Sequence, residues 1–376
     1  MADRRPGDRR RRGAFTPFRI GSGRRAAVRH GWPSRKGSVG RAVHAGAKPS
    51  ESRGKVKFGI AVLLKSPVAS RDALQRIAQT AESLGYDWVG LNDRVVHPAQ
   101  VESRYPYTES GEVGPHWLKK DGEVIANSLE TLTSLSFLAG CTEKIGLATM
   151  VLVLPYRPPV LAAKMLATAD ILSGGRVIAG VGPGWLKEEY DALQNPHYAA
   201  RGKVLDEYLA AFRVLFGEDE PHFAGDFVDF GGIAFEPKPV HRKIPVWIGG
   251  ESKRSIRRVA KYADGWCPAT TSPRVPLDTV DGFTTAMDSL RRACDDEGRD
   301  LSDIDVVLWP GRFPRDGSAD TRVPFYGDTA SAIDDIGSYA DHGMTGLTLH
   351  LQSNDLDETL EQMQRYAEDV LPHFRG

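Results

Sequence analysis

The sequence predicts an α/β fold, a (β/α)8 TIM barrel over residues 55–376 with insertions after strands 2, 4 and 7. Three observations carry this. Strand-like and helix-like segments alternate from Lys57 onward, the alternation runs to eight strand-then-helix units, and no linker interrupts it. An open doubly wound sheet uses the same alternation, so the eightfold count and the continuity decide for the barrel.

The elements follow in order. Residues 58–64 form a β-type run, after which Leu74, Ile77, Ala78, Ala81 and Leu84 line one face of a helix that Gly85 ends. A second strand spans 87–92. The loop of turn residues 94–126 is long enough to be a lid or a substrate loop, and a helix follows at 128–140. The third strand is read at 145–153, the third helix at 160–172 and the fourth strand at 176–181. Leu205, Tyr208, Leu209, Phe212, Leu215 and Phe216 make the apolar face of a fourth helix. The aromatic, Gly-rich segment 222–235 reads as a β-hairpin before a fifth strand at 245–248. Then come a helix from Ser252, a strand at 265–267, a helix through Phe283, Met287 and Leu290, and a strand at 304–309. A helix from Thr329, a strand at 347–349 and an amphipathic helix from Leu356 close the chain.

Composition narrows the function classes. No apolar run approaches the roughly 20 residues that cross a bilayer, and 41% hydrophobic residues is ordinary for a soluble protein. The formal net charge of zero conceals an asymmetry, because residues 1–54 hold about a dozen arginines and only Asp3, Asp8 and Glu51 as acids. The remainder is therefore acidic. Residues 1–54 are expected to be a disordered extension; the same composition suits a nucleic-acid arm or an organellar transit peptide, but no nucleic-acid partner is expected. Cys141, Cys267 and Cys294 are odd in number and lack CxxC spacing, which fits a reduced, cytoplasmic compartment and no metal site.

In a barrel, ligand chemistry sits at the carboxyl ends of the strands. Those ends carry Asn92-Asp93-Arg94, Met150-Val151, Gly182-Pro183-Gly184-Trp185, Gly249-Gly250-Glu251-Ser252, Cys267, Trp309 and His350. The GxGxG at 180–184 is either a tight turn or a backbone approach to an anion. Gly249 to Ser252 opens a helix directly after a strand, which suits a phosphate, while Ser252 also reads as an N-cap worth about 1 kcal/mol. Asp93 and Arg94 form a bland ion pair or receive a ring N–H and a polar substrate group. His350 shuttles a proton or bonds a backbone carbonyl. HExxH, GxSxG and paired metal ligands are missing from the sequence, which argues against hydrolysis and favours a flat, phosphate-bearing cofactor.

Five blocks in order, AESLGYDWVGLNDRVVHP, SRYPY, KIGLATMVLVLPYRPPVLAAKMLATADILSGGRVIAGVGPGW, RGKVLDEYLAAFRVLF and PKPVHRKIPVWIGGESKRSIRRVAKYADGW, carry a resemblance. Over residues 55–376 the chain resembles the bacterial-luciferase-like flavin and deazaflavin oxidoreductases, in particular the coenzyme F420-dependent branch. The resemblance implies a homodimeric barrel with F420, or alternatively FMN, at its carboxyl face and a small organic substrate. It puts Asp93 at the edge of the ring and a non-proline cis peptide at Met150-Val151 behind it. Gly182, Pro183, Gly184, Gly249, Gly250, Glu251 and Ser252 would hold the phosphate.

Two departures bear on the reaction. Where members that oxidise a sugar phosphate have His and an acidic residue, this chain has Arg94 and Trp185, neither of which is a base near neutral pH. The expectation is hydride reduction of an electron-poor double bond or carbonyl, with Arg94 and His350 as catalytic candidates. An FMNH2 and O2-dependent monooxygenase is the alternative within the fold, and a catalytically silent cofactor-binding barrel is the alternative of another class.

Overall fold

In the computed structural model eight parallel strands close on themselves: β1 (Lys57–Val62), β2 (Trp88–Leu91), β3 (Gly146–Thr149), β4 (Val177–Gly182), β5 (Val246–Gly249), β6 (Gly265–Cys267), β7 (Asp305–Leu308) and β8 (Gly346–Leu349). Pairing of β1 with β8 and of β4 with β5 completes the ring. The structure describes residues 55–65, 68–113, 119–120, 123–124, 127–311 and 322–375. The basic segment 1–54 expected to be disordered lies outside the described residues.

The helices are α1 (Arg71–Ser83), α2 (Thr131–Ala139), α3 (Pro159–Ser173), α4 (Lys187–Ala192), α5 (Arg201–Gly217), α6 (Lys253–Tyr262), α7 (Val280–Asp296), α8 (Thr329–Asp341) and α9 (Leu356–Asp369). Local signals set their ends. Ser70 caps α1 by accepting from Ala73 N at 3.2 Å, and Pro159 begins α3, where its missing N–H costs nothing. Gly174 ends α3 at φ 70°, a left-handed position that glycine occupies without a Cβ clash.

The period of two along each strand sorts residues between two cores. Phe58, Ile60 and Val62 of β1 join the core between strands and helices, as do Val177, Ala179 and Val181 of β4. Trp88, Ala148, Met150, Trp247, Cys267 and Val307 form a second cluster inside the ring. The Trp88 and Trp247 rings meet edge to face at 5.1 Å, and Trp88 Nε1 donates to Thr348 Oγ1 at 3.0 Å. Two indoles fit because their neighbours lack side chains. A Cβ on Gly59 would lie 1.9 Å from Trp88 Nε1, and one on Gly265 would lie 2.3 Å from Trp247 Cδ1. They fill the ring below its carboxyl end and give the mouth an apolar floor.

The insertions expected after strands 2 and 4 are present, and much of the one expected after strand 7 lies outside the described residues. The connection after β2 carries a small hairpin pairing Lys119–Lys120 with Glu123–Val124, and that after β4 carries α4. The segment expected as a hairpin pairs Phe223–Ala224 with Asp229–Phe230. Two readings change. The third strand is not continuous over 145–153: it stops at Thr149 and resumes as Leu152–Val153 alongside Val181 and Gly182. Helix α4 was not expected, since six residues are too few to show a period.

Candidate active site at the carboxyl mouth

The interruption of β3 builds the centre of the site. The Met150–Val151 peptide is cis. Met150 turns into the ring, with Cγ 2.5 Å from where a Cβ on Gly90 would stand. Val151 spans the mouth. Its Cγ2 is 3.1 Å from a Cβ built on Gly182, and its Cγ1 is 3.0 Å from one built on Gly249. Val151, Gly182 and Gly249 therefore meet at one apolar platform with Met150 turned into the ring beside it, and a methyl on either glycine would press the isopropyl group by a few tenths of an ångström.

The turn Gly182-Pro183-Gly184 is held from behind. Gly184 has φ 73°, and a Cβ there would come 2.6 Å from Val153 Cγ1. Tyr190 Oη donates to Pro183 O at 2.6 Å, Arg201 Nε to Gly184 O at 3.0 Å and Tyr198 Oη to Trp185 O at 2.9 Å. The turn's carbonyls are thus committed to side chains behind it, a preorganised backbone edge for a ligand.

At the exit of β5, Gly250 has φ 97°, and its carbonyl accepts from Trp266 Nε1 at 2.9 Å. Ser252 caps α6, its Oγ accepting from Ser255 N at 3.1 Å, so the N-cap reading of this residue is realised. Glu251 is buried rather than presented like a surface cap. Its Oε1 accepts from Ala269 N at 2.8 Å, and burial pushes its pKa up to about 7 against the pull of that N–H bond.

Asp93, expected at the ring edge, lies at the exit of β2 with its carboxylate held by the protein. Its side chain is 0% exposed and accepts four hydrogen bonds. Arg157 Nη1 and Nη2 donate at 2.9 Å each, Thr131 Oγ1 at 2.8 Å and Val153 N at 2.9 Å. A carboxylate offers about four lone-pair sites, and here all four have partners. Asp93 thus supports the resumed third strand through Val153. Burial opposes the charge on Arg157, but Asp93, and then Glu130 at 2.6 Å, outweigh it and raise the guanidinium pKa.

Next to it, Arg94 Nη1 pairs with Glu189, a carboxylate with 0% exposure, and its guanidinium lies 5.7 Å from the Trp185 ring. Glu189 also accepts from Val95 N at 2.7 Å, Val96 N at 3.1 Å and Tyr156 Oη at 2.9 Å. Burial raises the Tyr156 pKa, and the adjoining Glu189 charge adds to the shift. Glu188 accepts from Glu102 N at 2.6 Å and Ser103 N at 2.8 Å, tying the long loop to α4. Tyr105 then meets Trp185 edge to face at 5.0 Å and Tyr107 at 5.7 Å, an aromatic border to the mouth. His350 is half-buried at the end of β8, its N–H donating to Tyr326 Oη at 2.9 Å.

Arg157, Glu189, Tyr105 and Tyr107 have no role assigned from sequence. Arg157 lies within the block LPYRPP and Tyr105 and Tyr107 within SRYPY, so both segments drew notice as text but not as geometry. Glu189 had no signal beyond an acidic pair in a very short helix. Among the described residues no group of three or more His, Cys, Asp or Glu could hold a metal, and no helix is long and apolar enough to cross a membrane.

The closed barrel and the family match of residues 55–333 together place the chain among the luciferase-like oxidoreductases. The chain belongs to the luciferase-like monooxygenase family, which it matches over residues 55–333. An uncharacterized protein of Mycobacterium tuberculosis is 33% identical over 215 residues, 57% of this chain and 70% of that one. The FMNH2-dependent dimethylsulfone monooxygenase of Pseudomonas putida is 31% identical over 167 residues, 44% of each chain. Among solved structures, the coenzyme F420-dependent tetrahydromethanopterin reductase of Methanopyrus kandleri superposes with a TM-score of 0.67 at 17% identity, covering 86% of this chain and all of that one. That last likeness shows the fold.

Proposed function

We propose that this oxidoreductase transfers a hydride between coenzyme F420 and a small organic substrate at the carboxyl mouth of the barrel. The observation that carries the reading is the Val151 platform at the mouth, which the missing Cβ atoms of Gly182 and Gly249 admit beside two glycine turns and which offers an apolar face to a flat ring. A bound deazaflavin supplies the two-electron chemistry; the chain supplies position and exclusion of water. Gly182, Pro183, Gly184, Gly249 and Gly250 offer backbone to the cofactor, Met150 and Val151 back its ring, and Ser252 serves α6 at the phosphate end. Asp93 acts through Arg157 and Val153 as a positioning residue. Arg94, oriented by Glu189, holds a polar substrate group beside Trp185, and His350 remains a proton-carrying candidate across the mouth.

FMN is the second reading, supported by the likeness to the dimethylsulfone monooxygenase. A cytoplasmic homodimer completes the proposal. Fluorescence titration of the purified protein with F420, FMN and their reduced forms tests it. Binding of F420 is expected; tight FMN binding with none of F420 would transfer the assignment to a flavin monooxygenase, and binding of neither would leave a silent barrel.

A further inference from the structure

Glu251 is the buried acid at the mouth that structural support does not use up. Asp93 and Glu189 are each saturated by four hydrogen bonds, whereas Glu251 makes one side-chain hydrogen bond among the described residues, to Ala269 N at the exit of β6. The backbone dictates its direction. Gly250 at φ 97°, with its carbonyl held by Trp266, turns the chain so that Glu251 points back over the end of β6 rather than out along α6. There it lies in the field of two titratable groups, Cys267 of β6 and Tyr107 of the loop that borders the mouth. The Glu251 charge adds to burial in raising the pKa of both, so all three groups favour their protonated forms. Among the described residues no cation is paired with this cluster, in contrast to Asp93 with Arg157 and Glu189 with Arg94.

We propose that Glu251 is the proton donor of this site, giving its carboxyl proton to the substrate atom that receives the electron pair when hydride arrives. The role rests on the hydride-transfer reading above and names a residue for its second half. The substrate class is an enone or a carbonyl compound. A reduced deazaflavin or flavin held at the mouth would supply the hydride that forms a C–H bond at the electrophilic carbon as the π bond breaks toward the far atom. That atom takes the Glu251 proton as the O–H bond of the acid breaks. The reduced ring, giving up two electrons as hydride, would release its remaining proton to water, and water reprotonates the carboxylate, so the protons balance through solvent. An acid titrating near neutral pH is suited to this exchange.

Two arms test it. In the protein without cofactor, a 13C-labelled glutamate carboxyl resonance is expected to titrate near pH 7, to vanish in Glu251→Gln, and to shift when F420 or FMN binds. Because the folded pKa is raised above the ordinary 4.5, wild type should lose stability relative to Glu251→Gln as pH rises from about 4.5 through about 7. In the second arm, cyclohex-2-en-1-one is reduced with reduced F420 or FMNH2. Glu251→Gln should lower kcat about 100-fold at little change in KM, as for loss of a general acid, and Glu251→Asp should recover part. A resonance titrating near 4.5, or kcat in Glu251→Gln within about threefold of wild type, overturns the proposal. Failure of wild type to turn over the enone sinks the hydride-transfer reading itself and this role with it, and is seen without any variant.

Discussion

Arg157 grips Asp93 through two parallel hydrogen bonds of 2.9 Å each, and the same carboxylate receives Val153 N from the strand that resumes beyond the cis peptide. A side chain from beyond the broken third strand thus locks the end of β2 to that strand. Breaking a buried pair by removing one partner costs about 3–5 kcal/mol, because the other charge is left without compensation. Asp93→Ala is expected to lose that much in urea unfolding. Replacing both partners with leucine should cost less than the sum of the single changes, so a double-mutant cycle reads the coupling. Additive losses would show that the pair is not a unit.

Glu189 has a comparable position with a different dependant, since it holds the amides of Val95 and Val96 as the chain leaves β2. In Glu189→Gln an amide NH2 faces at least one N–H donor, and the loop is expected to loosen. Hydrogen exchange at residues 95 and 96 should accelerate well ahead of exchange in β1 and β2. Unchanged protection there would remove Glu189 from the positioning of the loop.

The interior glycines give a prediction by contrast. A Cβ on Gly180 would lie 2.0 Å from the backbone oxygen of Thr149, which cannot swing aside, whereas nothing lies within 4 Å of one on Gly217 at the end of α5. Gly180→Ala should destabilise by about 1–3 kcal/mol or more through forced backbone movement. Gly217→Ala should be neutral or stabilise by up to about 1 kcal/mol. Thermal unfolding of the two variants checks the pair.

Gly249→Ala addresses the site rather than the scaffold. The added methyl meets Val151 Cγ1 at 3.0 Å, a contact that shifts the platform by a few tenths of an ångström. The expected result is cofactor affinity weakened about tenfold, near 1.4 kcal/mol, with an unfolding midpoint close to wild type. Equal affinity in the fluorescence titration would show that the platform does not touch the ring.

Acid sensitivity has a named contributor at the opposite end of the barrel. Glu82 accepts from Glu143 N at 2.8 Å, Lys144 N at 2.5 Å and Ile145 N at 2.9 Å. Partial burial raises its pKa, but the three N–H bonds together outweigh burial and leave it lowered. A depressed folded pKa contributes stability above the ordinary carboxylate value, and that stability is lost as pH falls through the folded one. Glu82→Gln should therefore unfold more readily near pH 7 and show a flatter acid limb, measured by urea midpoints from about pH 7 to pH 3.

Much of the fold was legible because the strands are short apolar runs buried on both faces and the long helices carry a period near 3.6. The strand at Gly265–Cys267 and the starts of the helices at Thr329 and Leu356 lie where the pattern puts them. The pattern failed where local and tertiary demands part. Residues 145–153 read as one strand because every residue from Ala148 to Leu154 is apolar apart from Thr149, and periodicity has no term for a cis peptide that sends Met150 inward and Val151 across the mouth. Helix α4 stayed hidden because six residues do not complete two turns.

The sequence by itself determined the barrel, its insertions and the strand ends that carry the site, since these follow from hydrophobic period, glycine placement and family-like blocks along the chain. Only the tertiary structure decided which charged residue does what. Asp93, Glu189 and Glu251 are all acids at strand exits or just beyond, yet Arg157 and Arg94 absorb the first two, while Glu251 lies in the field of Tyr107 and Cys267 with no cation paired to it among the described residues. A carboxylate's role is set by the partners and burial around it, and those arrive from residues tens of positions away.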